Sequence, residues 1–241
     1  MARTAVLAMG CGAEQPAAVK ALAGSARALA ETGWQVVLLT PGVVGLGGAL
    51  ALELGESRAG RRAVPVVTHV LVDPLDPALA HPPDTVSPEP LAILEAEAIA
   101  ALVGSGFPVV AFDQVPVVPN GSIYGPIAAT LDRAACARRL AGDLGAGVLV
   151  FVTGDDGPPN AGDVDHREAE RWLEDDPSGA GELRAAVRFL RAGGELAVIT
   201  TAPLVPAALS GSTAAASGIL RVYRTLARPR SEAPALAAGW C

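Results

Sequence analysis

The run Phe107–Gly157, FPVVAFDQVPVVPNGSIYGPIAATLDRAACARRLAGDLGAGVLVFVTGDDG, decides how the whole chain is read. It holds an apolar, β-branched segment (Pro108–Phe112), a polar stretch, a segment of helix formers (Ala128–Leu144) and a second apolar segment (Gly147–Thr153). Short apolar runs bounded by turn residues read as buried strands, and the Ala- and Arg-rich segment between them as a helix. A strand, a crossover helix and a parallel strand of this size form a βαβ unit, whose ligand edge lies at the strands' carboxyl ends. Polar residues stand at those expected ends: Asp113 and Gln114 after the first strand, Asp155 and Asp156 after the second.

The same alternation extends in both directions. On the N-terminal side, Thr4–Met9 reads as a strand leaving through Gly10-Cys11-Gly12, Pro16–Thr32 as a helix closed by Gly33, and Val36–Thr40 as a strand entering the loop Pro41–Gly48. Ala49–Leu54 reads as a short helix and Val64–Val72 as a strand. Asp73–Pro90 holds six prolines and is excluded from regular structure, and Pro90–Gly104 reads as one helix. On the C-terminal side, Asp163–Leu173 and Ser178–Ala192 read as helices, Leu196–Thr200 as a strand, Pro203–Leu209 as a short helix and Gly218–Tyr223 as a closing strand. Arg184, Arg188 and Arg191 share one face of the second of these helices, as a solvated stripe. Alternating strands and helices imply an α/β fold, a three-layer αβα sandwich around a mainly parallel sheet.

Composition removes several function classes. A net charge of −7 without a basic cluster argues against a nucleic-acid partner, because phosphate contacts carry most of that affinity. Cys11, Cys136 and Cys241 are too scattered for a disulfide framework or a CxxC site, and His69, His81 and His166 lack ligand spacing, so no metal site is expected from them. No apolar run reaches the ~20 residues of a membrane span. The N-terminus enters a strand at once, and a cytoplasmic protein is expected. The chain has a single lysine, Lys20, so a mechanism that sets several lysines on a polyphosphate is excluded.

Four stretches carry a resemblance to a known family. They are Val67–Pro82 (VTHVLVDPLDPALAHP), Val86–Ile99 (VSPEPLAILEAEAI), Ala128–Asp156 (AATLDRAACARRLAGDLGAGVLVFVTGDD) and Ser178–Gly218. In order, they resemble the V-D-x-x-D-P-A-F-x-x-P, V-P-S-P-E-P-x-x-I-x-E-x-E-A-I, I-D-K-D…L-T-x-V-D and S-M-G-P-K-V-E-A-A…A-I-I-T…L-x-G-x-x-G-T segments of carbamate kinase, within the amino acid kinase superfamily. The resemblance implies a single domain over residues 1–228, with a protruding subdomain shortened near residues 73–90 and a loosely ordered tail, 229–241. It also implies ATP and Mg²⁺, and reversible phosphoryl transfer between ATP and carbamate by positioning and charge neutralisation.

On this resemblance the catalytic candidates are Arg133 and Asp132, at the family's Asp-Lys. The nucleotide-binding candidates are Gly10 and Gly12 in the first loop, Gly42 in the second, and Asp155, Asp156 and Asn160. From the residues alone, Asp132 reads equally as a helix cap and Asp155-Asp156-Gly157 as a turn. The acceptor side departs from the family: Val43 and Val44 stand in place of the Asn and Gly of the second glycine loop, removing a side-chain donor and crowding the backbone amides, and the third loop is shortened to Asp113–Val117. Glu182 stands where the family has the lysine of G-P-K-V-E. An aspartate at position 113 would repel an anionic acceptor, but could serve as a general base in altered chemistry. Three readings follow: a nucleotide-binding pseudokinase with impaired transfer, an active phosphotransferase on carbamate or a related acceptor, and an enzyme repurposed around Asp113 and Gln114. The partner in each is a small anion or nucleotide, and a homodimer or partner protein stays open.

Overall fold

The computed structural model describes residues 3–10, 13–41, 45–55, 60–73, 75–76, 89–119, 131–154, 158, 161–175, 181–210 and 218–224. The apolar run Arg3–Met9 forms β1, flanked in parallel register by β2 (Trp34–Leu39) and β6 (Val148–Thr153), so that Ala5 lies beside both Val36 and Val148. Beyond β2 come β5 (Val109–Val117), β3 (Val64–Leu71) and the two-residue β4 (Ala92–Ile93). Beyond β6 come β8 (Leu196–Thr201), β9 (Ile219–Tyr223) and β7 (Gly162–Asp165). The nine strands make one sheet in the order β4-β3-β5-β2-β1-β6-β8-β9-β7. Its six inner strands are parallel; β4 and β9 pair antiparallel with β3 and β8, and β7 runs with β9.

Successive side chains of a strand face opposite sides, and this divides the core in two. Ala5, Leu7 and Met9 pack with α1 (Pro16–Glu31), α2 (Leu46–Leu54), the 3₁₀ turn Ala202–Leu204 and α7 (Val205–Leu209). Val6 and Ala8 pack with α3 (Ala96–Gly104), α4 (Arg133–Asp143), α5 (His166–Asp175) and α6 (Gly181–Arg191). Helices on both faces of a mostly parallel sheet make the αβα sandwich, and explain why the central strands are apolar throughout rather than alternating. α1 ends at Gly33, whose φ of 90° is the left-handed turn that favours glycine.

Five boundaries differ from the sequence reading. β5 does not stop at Phe112, because β3 accompanies it to Val117, so Asp113 and Gln114 lie within a strand rather than in a loop. β2 leaves β5 after Ala111, and Pro116, which has no N–H to donate, therefore interrupts no ladder on that side. Pro90–Gly104 is not one helix: Ala92–Ile93 pairs with β3 before α3 begins. Asp163–Leu173 likewise splits into β7 and α5. α4 begins at Arg133 with Asp132 as its cap, later than Ala128, and α2 begins at Leu46, taking Gly47 and Gly48 out of the loop. Gly47 is required there, since a Cβ would sit 2.8 Å from the Phe112 ring.

Candidate functional site

The helix that follows β1, α1, packs on one face of the sheet, and the next helix after β6, α5, packs on the other. Where adjacent parallel strands send their connections to opposite faces, a crevice opens at their carboxyl ends. Here it is a cavity of about 280 Å³ lined by residues 8–10 of β1 and its exit, Phe151 of β6, residues 132–134 at the start of α4, and residues 181–182 at the start of α6. The Gly10 N–H donates to the Val152 carbonyl at 2.7 Å, which ties the turn after β1 to β6.

Asp132 caps α4, its Oδ1 accepting from the Ala134 N–H at 2.9 Å. The following residue, Arg133, donates through Nη1 to Glu14 Oε1 at 2.6 Å. Glu14 stands after the β1 turn, so this ion pair joins the first crossover to the start of α4 across the lip of the cavity. From α6, the Glu182 carboxylate approaches Gly10: a Cβ built on Gly10 would lie 3.0 Å from Glu182 Oε1 and 3.2 Å from the Val152 carbonyl oxygen. Among the described residues at the cavity and its lip, three carboxylates (Glu14, Asp132, Glu182) therefore face one guanidinium, which is already paired.

Of the sequence candidates, Gly10, Asp132 and Arg133 come together at this cavity. Gly12, Gly42, Asp155, Asp156 and Asn160 lie outside the described residues, as do the paired valines at positions 43 and 44. Asp113 is not brought to them by the backbone: it is on β5, which β2 separates from β1. Gln114 is buried and donates from Nε2 to the Thr40 carbonyl at 2.8 Å, locking the end of β2 to β5 rather than offering its amide to a ligand. The register between β3 and β5 shifts between Val67/Phe112 and His69/Val115, so Asp113 and Gln114 together oppose Thr68 as a bulge.

Sequence reasoning missed Glu14 and Glu89. Glu89 ties the segment before β4 to the helix layer by pairing with Arg138 of α4 and with Arg188 of α6 at 3.2 Å. Neither glutamate has local signal, since each partner is over 40 residues away. The expected arginine stripe of α6 is correspondingly not simply solvated: Arg188 holds Glu89, and Arg191 holds Glu170 at 2.6 Å. A larger cavity, about 310 Å³, opens at the opposite edge of the sheet among Trp34, Phe107, Val36 and Val109; it lies at the strands' amino ends, away from the crevice. Among the described residues no group of three or more His, Cys, Asp or Glu side chains converges to hold a metal ion, and no helix is long and apolar enough to cross a membrane.

Relatives and solved structures agree with this architecture. The chain is 31% identical over 203 residues to "Carbamate kinase-like protein YahI" of Escherichia coli (strain K12), covering 64% of each. It is 33% identical over 141 residues to a carbamate kinase of Halobacterium salinarum, covering 52% of this chain and 46% of that one. The chain thus spans less than two thirds of the length of either relative. A carbamate kinase from Giardia lamblia bound to AMP-PNP superposes with a TM-score of 0.76 at 21% identity, covering 93% of this chain and 99% of that one. A crystal structure from Aeropyrum pernix K1 gives the same TM-score and identity over 92% and 99%. No protein-family model matches the chain.

Proposed function

We propose that this chain, which belongs to the carbamate kinase-like proteins of the amino acid kinase family, binds a nucleotide at the β1–β6 crevice and has impaired or lost phosphoryl transfer to carbamate. The observation that carries the reading is the Glu182 carboxylate at the Gly10 backbone. A phosphoryl group in transfer spreads negative charge over its three equatorial oxygens, and catalysis consists of neutralising that charge in a water-poor site. Two like charges about 4 Å apart repel by about 4 kcal/mol at an effective dielectric of 20, which corresponds to roughly a thousandfold in rate. Lys20, the chain's single lysine, is exposed on α1 and does not line the cavity.

Nucleotide binding is supported by the position of Asp132 and Arg133 at the crevice and by AMP-PNP in the Giardia lamblia enzyme of the same fold. ATP would arrive with Mg²⁺. On the family resemblance Asp132, with Asp155 or Asp156, would hold such an ion, which would supply charge neutralisation at the phosphates; the described carboxylates by themselves form no three-ligand cluster. A cytoplasmic location goes with this reading.

The test is ADP formation from ATP and carbamate, with ATP affinity measured in parallel by calorimetry. Saturable ATP binding without turnover is the expected result. Turnover in the range usual for kinases, about 1–100 s⁻¹, would establish the second reading, an active phosphotransferase. One feature favours that second reading: Arg133 is at the crevice, where its charge could be freed for a phosphate.

A further inference from the structure

We propose that Glu14 sets the anion affinity of the crevice: its carboxylate occupies Arg133 as an internal stand-in for a ligand anion, and an entering anion must displace it. The inference rests on the reading of the crevice as a nucleotide site. Arg133 Nη1 and Glu14 Oε1 are 2.6 Å apart, a charge-assisted hydrogen bond between positions 119 residues apart in the chain. Arg133 is the single cation among the described residues lining the cavity, and Asp132 and Glu182 supply further negative charge there. An entering anion therefore meets a guanidinium already neutralised, with two more carboxylates close by.

The pair is held weakly enough to exchange. Arg133 is 49% and Glu14 33% exposed along their side chains, and a pair so open to solvent has a net strength equivalent to no more than about a fivefold change in an equilibrium constant. A monoanion such as acetate gains nothing over Glu14, because it replaces one carboxylate by another. An anion with two or more negative charges is drawn more strongly to the guanidinium, but Asp132 and Glu182 repel it more strongly as well. Glu14 therefore weakens the binding of any anion that must pair with Arg133, by up to the strength of the Glu14–Arg133 pair.

The test compares wild type, Glu14→Gln and the double variant Glu14→Gln/Arg133→Gln by calorimetry with pyrophosphate, acetate and ATP, at low and physiological salt. Glu14→Gln is expected to bind pyrophosphate about three- to fivefold tighter than wild type, to gain measurable acetate binding, and to lose both gains in the double variant. Equal or weaker pyrophosphate binding by Glu14→Gln overturns the proposal, as does a gain that survives in the double variant. If Glu14→Gln gains pyrophosphate affinity while ATP binds to neither protein, Glu14 keeps this role and the nucleotide reading fails. If ATP binds both proteins with equal affinity, the nucleotide reading stands and the role of Glu14 is overturned.

Discussion

Cys136 lies on α4, wholly buried under the sheet, four residues after the cap that faces the crevice. Burial, and then the Asp132 and Glu89 carboxylates, push its thiol up to about 12, with Arg138 pulling the other way. The folded protein therefore holds a proton that the unfolded chain releases near pH 9, and the sign follows: stability is intact below pH 9 and falls as the pH rises toward 12. Between pH 8 and pH 10 the loss should be about 1 kcal/mol. Urea unfolding of wild type and Cys136→Ala at the two values should show the variant gaining that much relative to wild type; an unchanged difference would mean the thiol titrates freely. The same burial should leave Cys136 unlabelled by alkylating reagents until the chain unfolds. At this scale the sequence was informative only where a residue acts locally. Asp132 is readable as a cap because capping needs only the next two residues, whereas the Arg133–Glu14 pair spans 119 residues and has no motif.

At the scale of elements, the apolar spacing of Pro90–Gly104 suits a helix throughout, yet the chain spends Ala92–Ile93 on the edge of the sheet. Leu71 and Val70 present ladder groups to it, the Ile93 N–H donates to Asp143 Oδ2 at 2.9 Å, and Glu95 takes both the His69 N–H and its ring nitrogen at 2.6 Å. Those partners come from β3 and α4, so a local pattern could not show them. By contrast, β1, β2, β6, β8 and β9 were legible within two residues, because buried strands announce themselves by continuous apolar runs. The far edge is secured by Arg221 on β9, whose side chain is 6% exposed and whose guanidinium donates to the Ala207 and Ala208 carbonyls of α7 and pairs with Asp163 of β7 at 3.1 Å. Arg221→Leu strands those acceptors and should cost about 3–5 kcal/mol in urea unfolding. A loss under 1 kcal/mol would mean that water replaces the guanidinium.

Across the whole molecule, the crevice is assembled from parts that are distant in sequence but adjacent to the central strand. The turn after β1 supplies Gly10, and the chain must complete β2, β3 and β5 before the start of α4 brings Asp132 and Arg133, and that of α6 brings Glu182. The βαβ unit β5-α4-β6 makes the crossing: β5 lies two strands to one side of β1, and β6 lies directly on the other. This explains why the fold was readable from that unit, while the crevice was readable only in part: Gly10, Asp132, Arg133 and Glu182 were named from the sequence, but Glu14 was not, since its pairing depends on which loops meet at β1. A sheet continuous through β1 gives neither half its own closed core, as both hydrophobic clusters draw residues from β1, β2 and β6. One cooperative unfolding transition is therefore expected. Trp34 opens β2 on one side of β1, and Trp172 sits buried in α5 on the other. Variants retaining Trp34 alone or Trp172 alone, made by replacing the other tryptophans with phenylalanine, should give coincident urea midpoints by fluorescence and the same midpoint by far-ultraviolet circular dichroism. Separate midpoints would mean that the β6-β8-β9 half folds as its own unit. The crevice at the β1–β6 seam would then open before the chain unfolds, and the nucleotide affinity proposed for it would disappear with the first transition rather than the last.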